Sequence, residues 1–125
     1  MYADTDFFLA LIKKDDWLKK RAEKLYKKHQ NELWTSTLTI KELMLLAYRD
    51  NKDVTDIIEK ASALMPVKEV DIGVEGHIAA SFLIKKYKMT PFDALHAVIC
   101  DNDSIISSDK KYDLIGLNRI TLEKE

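Results

Sequence analysis

The sequence predicts an α/β fold built around a parallel sheet. Short apolar segments with strand composition alternate with longer segments of helical periodicity, and Gly, Pro and capping residues separate them. No internal repeat or low-complexity segment interrupts this alternation. Because strands that are separated by helices pair in the same direction, the pattern favours a parallel sheet.

Capping residues and helix breakers set the boundaries of the predicted elements. Asp4 is suited to cap the first helix and Ser36 or Thr37 the third, while Thr90 followed by Pro91 opens a helix that is apolar nearly all round. In chain order, the predicted elements are strand 1–3, helix 5–12, helix 15–30, strand 33–35, a helix through residue 48, helix 53–65, strand 67–70, a long helix ending near residue 88, helix 91–99, strand 104–107, helical turn 108–112 and strand 119–122.

Two of the predicted helices have distinctive surfaces. The helix over residues 15–30 places Trp17, Leu18 and Leu25 on one apolar stripe, and its opposite face is basic, as solvated helix faces often are. The helix through residue 48 is apolar on more than one side, which suggests a second buried face or a homodimer contact. Its apolar residues include Leu43, Met44, Leu45, Leu46 and Tyr48.

Length and composition indicate one compact domain over residues 1–125. Apolar residues make up 46% of the chain and charged residues 33%, which excludes disordered and fibrous classes. The single cysteine, Cys100, cannot form an intramolecular disulfide, and neither a secretory signal nor a membrane span is recognisable, so we expect a protein of the reducing cytoplasm. The net charge of −1 provides no overall attraction for nucleic acid, so RNA would require a local basic patch.

Four acidic residues that are remote in sequence predict a divalent-metal site: Asp4, Glu42, Asp93 and Asp109. Asp4 and Asp109 directly follow predicted strands, and the carboxyl ends of parallel strands share one edge of a sheet. Carboxylates about 4 Å apart repel by roughly 1 kcal/mol even in water, and a bound cation removes this cost. Oxygen-only ligands suit Mg²⁺ or Mn²⁺, and no Cys/His cluster favours zinc.

Each acid also has an ordinary structural interpretation. Asp4 can be an N-cap, and Asp93 and Glu42 each stand three residues after a threonine, as in a capping box. Asp109 suits the first turn of a helix. The residues alone therefore leave open whether Glu42 and Asp93 reach the edge of the sheet.

Four segments in chain order resemble the signature blocks of PIN-domain ribonucleases, particularly VapC-type toxins. They are residues 2–7 (YADTDF), 39–43 (TIKEL), 91–97 (PFDALHA) and 106–112 (ISSDKKY). The resemblance implies a three-layer fold with a central parallel sheet of about five strands between helices. It also implies a metal-dependent endoribonuclease whose Mg²⁺ or Mn²⁺ site is formed by Asp4, Glu42, Asp93 and Asp109, with Ser107 as a supporting hydroxyl.

For a toxin, the resemblance further implies a homodimer and an antitoxin whose tail closes the acidic pocket. Two departures from the family pattern stand out: Lys111 replaces an acid, which leaves the number of ions open, and Asp6 is either an extra ligand through water or a first-turn acid. Lys110 and Lys111 are candidate RNA contacts because they follow Asp109. His96 lies three residues after Asp93 on the same helix face and is interpreted as packed within its helix, with a substrate contact as the alternative.

Two alternative functions remain at this point. One is a non-catalytic PIN-like interaction or scaffold domain, although the chain keeps all four acids. The other is a haloacid-dehalogenase-like phosphatase with Asp4 as its nucleophile, because such enzymes also open with two alternating acids after the first strand. The chain is short for that fold, and the segment over residues 90–96 stays unexplained.

Overall fold

A computed structural model describes residues 1–124 and shows helices and strands alternating along the chain. The helices are α1 (Thr5–Ile12), α2 (Lys19–His29), α3 (Thr37–Arg49), α4 (Val54–Leu64), α5 (Gly73–Tyr87), α6 (Pro91–Cys100) and α7 (Lys111–Leu114). The strands are β1 (Tyr2–Ala3), β2 (Thr35–Ser36), β3 (Val67–Lys68), β4 (Ile105–Ser107) and β5 (Arg119–Thr121). The predicted α/β class is confirmed.

The strand pairs are parallel, as predicted, but the five strands form two sheets rather than one. β1, β4 and β5 pair in the order β1-β4-β5, and β2 pairs with β3. A single parallel bridge between Tyr2 and Trp34 joins the two sheets. The strands are short because Asp4 and Ser36 begin a helix immediately after them, which leaves little length over which β1 and β2 could pair.

Helices cover both faces of the sheet and bury two apolar cores. Successive strand residues point to opposite faces, so Ala3 and Ile106 pack with α1, α2 and α4, whereas Tyr2 and Ile105 pack with α5 and α6. All four strand residues are fully buried. This arrangement is the predicted three-layer architecture.

The second helix begins later than predicted. α2 starts at Lys19 because Asp16 Oδ1 accepts a hydrogen bond from the Leu18 backbone N–H at 2.9 Å, which holds the preceding residues in a turn. Leu18 and Leu25 are buried as predicted. Trp17 is 77% exposed, so its assignment to the buried stripe is wrong.

Helix α3 carries both a site residue and an exposed apolar surface. Ser36 occupies the N-cap position, so Glu42 lies in the second turn and is not part of a capping box with Thr39. Leu43 is buried, whereas Met44, Leu45 and Tyr48 are 48%, 52% and 80% exposed. Within residues 1–124, no helix combines the length and the apolar character needed to cross a membrane.

Candidate metal centre

Asp4, Glu42, Asp93 and Asp109 line one pocket with a volume of about 230 Å³. Asp4 directly follows β1, and Asp109 comes shortly after β4, which is the parallel neighbour of β1. Glu42 lies in the second turn of α3, and Asp93 lies in the first turn of α6. The structure therefore brings all four acids together, including the two that do not follow a strand.

Asp4 is a buried carboxylate that also caps α1. Its Oδ1 accepts a hydrogen bond from the Thr5 backbone N–H at 2.7 Å, and its Oδ2 accepts one from the Ser107 hydroxyl at 2.9 Å. The Ser107 oxygen in turn accepts a hydrogen bond from the Asp109 backbone N–H at 3.0 Å. Ser107 thus links the loop of Asp109 to the carboxylate of Asp4.

Asp6 bridges the first turn of α1 and the loop that follows β4. Its Oδ2 accepts hydrogen bonds from the Ser108 backbone N–H at 2.8 Å and from the Ser108 hydroxyl. Its Oδ1 is buried and has no hydrogen-bond partner in residues 1–124. Burial, together with the nearby charge of Asp4, raises the pKa of Asp6 to about 7.

Glu42 is held by hydrogen bonds that all fall on one of its oxygens. Glu42 Oε1 accepts from the Thr5 hydroxyl at 2.5 Å and from His96 Nε2 at 2.9 Å. Burial acts to raise the pKa of Glu42, but the hydrogen bonds from His96 and Thr5 outweigh it, so the pKa lies below its usual value. Glu42 therefore stays ionised next to the other acids.

The pocket concentrates negative charge at the edge of the sheet. Burial raises the pKa of Asp4, and Asp93 adds to this increase while His96 opposes it. Burial also raises the pKa of Asp93 to about 6, with a further increase from the facing carboxyl of Asp109. Burial disfavours the charged form of each carboxyl, and ionising one carboxyl makes it harder to ionise the next.

The chemistry of the pocket fits Mg²⁺ or Mn²⁺. Its ionisable lining consists of carboxylates, the ligand type that both ions prefer. Burial and the neighbouring carboxyls raise the pKa values of Asp4 and Asp93, and a divalent ion would offset both effects. Asp4, Glu42 and His96 also offer ligand atoms within 4.8 Å of one another, a second grouping that could hold an ion.

The two lysines that follow Asp109 have different surroundings. Lys110 is exposed at the start of α7, whereas Lys111 Nζ donates a hydrogen bond to the Lys88 carbonyl oxygen at 2.8 Å. The Lys111 backbone N–H donates to Asp109 Oδ1 at 2.9 Å. Lys111 therefore helps to place Asp109, and its RNA contact stays a prediction.

Two site residues, Thr5 and Tyr2, did not emerge from the sequence, and His96 was assigned mainly to packing. Thr5 binds Glu42, His96 reaches both Glu42 and Tyr2, and Tyr2 connects His96 to the first strand. The prediction that His96 is packed in its helix agrees with its complete burial but missed its contact with the acids. The sequence feature that could have indicated this contact is Tyr2 itself, because the hydroxyl of a tyrosine in a buried strand requires a hydrogen-bond partner.

The fold and the pocket define a three-layer α/β protein with a carboxylate-lined candidate metal centre. Residues 1–116 match the family model of the PIN domain. The chain therefore belongs to the PIN domain family, as the four sequence blocks predicted. A search of curated proteins gave no match.

Solved structures of toxin–antitoxin proteins share this fold. A toxin–antitoxin complex from Klebsiella pneumoniae is 15% identical, with a TM-score of 0.69 over 97% of this chain and 96% of that chain. VapBC2 from Rickettsia felis, bound to promoter DNA, is 12% identical with a TM-score of 0.73 over 96% of both chains. The sarcin–ricin loop cleaving toxin VapC20 from Mycobacterium tuberculosis is 17% identical with a TM-score of 0.69 over 93% and 95%. At these identities the likeness shows the fold alone.

Proposed function

We propose that this PIN-domain protein is a metal-dependent endoribonuclease that hydrolyses RNA phosphodiester bonds and serves as the toxin of a type II toxin–antitoxin system. The observation that carries the proposal is the convergence of Asp4, Glu42, Asp93 and Asp109 on one pocket in a chain of this family. The solved toxin structures with the same fold support the toxin assignment.

The four carboxylates have separate roles in this proposal. Asp4, Asp93 and Asp109 would hold Mg²⁺ or Mn²⁺, directly or through water, and Glu42 would hold a metal-bound water or orient the nucleophile. The bound ion would orient the phosphodiester, activate water and stabilise the departing oxygen. Ser107 keeps Asp4 and the Asp109 loop in register through its hydrogen bonds to both.

Cleavage of RNA in the presence and absence of metal tests the proposal. Total RNA is the appropriate first substrate, because no described contact selects a sequence. We expect cleavage with Mg²⁺ or Mn²⁺ and none in excess chelator. If neither ion supports cleavage by a folded protein, the nuclease assignment is wrong and the scaffold alternative takes its place.

The family match disfavours the phosphatase alternative. Residues 1–116 match the PIN domain model, which accounts for the segment over residues 90–96 that the phosphatase interpretation left unexplained. We expect no covalent trapping of Asp4 by a phosphate analogue such as beryllium fluoride. A stable adduct on Asp4 would reverse this conclusion.

We propose that the protein forms a homodimer through the exposed apolar side of α3. Met44, Leu45 and Tyr48 lie in the same helix and expose large apolar side chains to solvent. Leu45→Glu should shift the molecular mass in light scattering from that of a dimer to that of a monomer. Thr55→Glu, at an exposed position of α4, should leave the mass unchanged. A monomeric wild-type protein would overturn the proposal.

We also propose an antitoxin partner that closes the acidic pocket. The solved Klebsiella pneumoniae and Rickettsia felis structures contain toxin–antitoxin complexes with this fold, which supports the assignment. Expression of the protein alone should arrest growth, and expression of Asp93→Asn should not. A wild-type protein that leaves growth unaffected would argue against a toxin while leaving the nuclease assay to decide the chemistry.

A further inference from the structure

His96 lies at the centre of a buried hydrogen-bond chain that ends on Glu42. Its ring projects from α6, is fully buried and contacts residues of α1, α3 and the first strand. Nδ1 lies 2.6 Å from the Tyr2 hydroxyl, and that hydroxyl lies 2.8 Å from Ser36 Oγ. Nε2 lies 2.9 Å from Glu42 Oε1. Both ring nitrogens therefore have polar partners.

The surroundings of Nε2 favour a proton on this nitrogen. Three oxygens face it: Glu42 Oε1 at 2.9 Å, the Thr5 hydroxyl at 3.2 Å and Asp4 Oδ1 at 3.5 Å. Two of them are carboxylate oxygens, which only accept, and Thr5 already donates its proton to Glu42. An unprotonated Nε2 would direct its lone pair at carboxylate oxygens, so a protonated Nε2 is the favourable state.

The other end of the chain accommodates this state whether His96 is neutral or charged. In the neutral ring, Nδ1 accepts a hydrogen bond from the Tyr2 hydroxyl, and Ser36 can donate to the Tyr2 oxygen. In the charged ring, Nδ1 donates to the Tyr2 oxygen, and Tyr2 donates to Ser36. Burial raises the pKa of Tyr2, so its hydroxyl keeps the proton that either arrangement needs. Nε2 carries a proton in both cases.

We infer that His96 is a positioning residue, and not a metal ligand, whose Nε2–H holds Glu42 so that Glu42 Oε2 faces the metal pocket. This inference rests on the proposed function and assigns the histidine that the sequence had left to packing. Donation through Nε2–H and metal coordination through Nε2 exclude each other, so an experiment can tell the two roles apart. Both hydrogen bonds to Glu42 fall on Oε1, so Oε2 is left for the pocket that Glu42 lines.

Mn²⁺ binding by three proteins tests the inference without measuring activity. The wild type is compared with His96→Gln, whose side-chain amide can replace the Nε2–H donor, and with His96→Leu, which has similar bulk and no donor. Electron paramagnetic resonance of free Mn²⁺ gives the dissociation constant. We expect a loss of affinity of about 10-fold or more for His96→Leu and recovery of most of it in His96→Gln.

Two results would overturn the inference. One is a directly coordinated imidazole nitrogen in the electron spin echo spectrum of the Mn²⁺-loaded wild type, because it would make His96 a ligand. The other is unchanged Mn²⁺ affinity in a folded His96→Leu variant, because His96 would then be packing alone. The thermal unfolding of each variant is recorded so that a loss of fold is recognised.

A nuclear magnetic resonance measurement separates this inference from the proposed function. In a long-range ¹H–¹⁵N spectrum of the metal-free protein, Nε2 of His96 should be protonated, and its proton resonance should move in Glu42→Ala. An unprotonated Nε2, or a resonance that Glu42→Ala leaves in place, would overturn the inference. Wild-type protein that binds no Mn²⁺ would overturn the proposed metal centre. The nuclear magnetic resonance spectrum would still show whether Nε2 is protonated and bonded to Glu42.

Discussion

At the scale of single residues, Asp4 unites the start of a helix with the candidate metal centre. Its Oδ1 satisfies a backbone N–H at the start of α1, and its Oδ2 receives the hydroxyl of Ser107. The capping interpretation and the metal-site interpretation of this residue are therefore compatible, because a carboxylate has about four lone-pair positions and these bonds use two. The same holds for Asp109, whose Oδ1 accepts the Lys111 N–H at the start of α7.

Asp93→Asn should remove catalysis and preserve the fold. The substitution removes one negative charge from the metal pocket, and losing about 3 kcal/mol of transition-state stabilisation corresponds to a cleavage rate roughly 100-fold lower. The metal-free variant should unfold at a higher temperature than the metal-free wild type, because Asp93 and Asp109 no longer repel each other. RNA cleavage rates and thermal unfolding in chelator measure the two effects.

Asp101→Asn is the matched control for this substitution. Asp101 is exposed at the C-cap of α6, and asparagine has the same shape as aspartate, so the substitution removes only a surface charge. Its cleavage rate and unfolding temperature should equal those of the wild type. Equal cleavage by Asp93→Asn and the wild type would remove Asp93 from the list of ligands.

At the scale of secondary-structure elements, the cap of α6 fixes the position of Asp93. Thr90 Oγ1 accepts a hydrogen bond from the Asp93 backbone N–H at 3.3 Å, and Pro91 occupies the first turn. Thr90→Ala should lower the free energy of unfolding by about 1 kcal/mol, whereas Thr90→Ser keeps the acceptor and should lower it much less. Urea denaturation of the three proteins measures this difference. Equal losses of unfolding free energy in both variants would show that the hydrogen bond to the Thr90 hydroxyl contributes nothing to stability.

Helix α5 contains a glycine whose replacement should be costly for a steric reason. A Cβ atom on Gly76 would lie 2.4 Å from the Cβ of Ile72, which is too close for two carbon atoms that are not bonded to each other. Gly76→Ala should therefore lower the free energy of unfolding by about 1–3 kcal/mol, although alanine is the better helix former. Urea denaturation is again the measurement.

Ser81→Ala supplies the control in the same helix. Ser81 is exposed, so its substitution should change the free energy of unfolding by less than about 0.5 kcal/mol. A stabilised Gly76→Ala variant would mean that Ile72 moves aside without cost.

The sequence predicted the position of each element but not every boundary. Caps and breakers such as Asp53, which accepts from Asp56 N–H, and Pro66 act locally, so α4 ends close to where it was expected. The start of α2 depends on which backbone N–H the side chain of Asp16 selects, and this choice is not visible in hydrophobic periodicity. Trp17 was placed on the wrong side for the same reason.

The candidate site divides in the same way between local and tertiary causes. Asp4 and Asp109 could be placed from the sequence because each follows a strand of the same parallel pair. Glu42 reaches the pocket only because α3 packs against α6 and the His96 side chain meets it there. No sequence spacing connects residues 42 and 96. The family resemblance was therefore needed to assign Glu42 to the site.

At the scale of the whole molecule, the acidic pocket makes stability depend on pH. The pKa is raised to about 6 for Asp93 and to about 7 for Asp6, above the value near 4 of unfolded aspartate. Between these values the folded state binds more protons than the unfolded state, so this contribution favours folding near pH 4 and disappears as the pH rises towards 7. Asp93→Asn removes the contribution of Asp93 to this pH dependence of stability.

The difference in unfolding temperature between the metal-free wild type and Asp93→Asn isolates this effect. The advantage of the variant should grow as the pH increases from about 5 to about 7. Mn²⁺ should stabilise the wild type most at the upper end of this range, because ligands bind in their deprotonated form. A difference that is constant with pH would show that Asp93 has an ordinary pKa.

The division of the strands into two sheets has a mechanical consequence for the pocket. Within residues 1–124, backbone pairing between the sheets is limited to the single bridge at Tyr2 and Trp34, whereas Asp4 follows one sheet and Glu42 belongs to the helix that follows the other. The hydrogen bonds of Glu42 to Thr5 and His96 cross this boundary, as do those that join Tyr2 to Ser36 and Thr35 to the Ala3 carbonyl oxygen. The bonds of Glu42 also set the spacing of the acids, so any motion along this boundary would change the distance between Asp4 and Glu42.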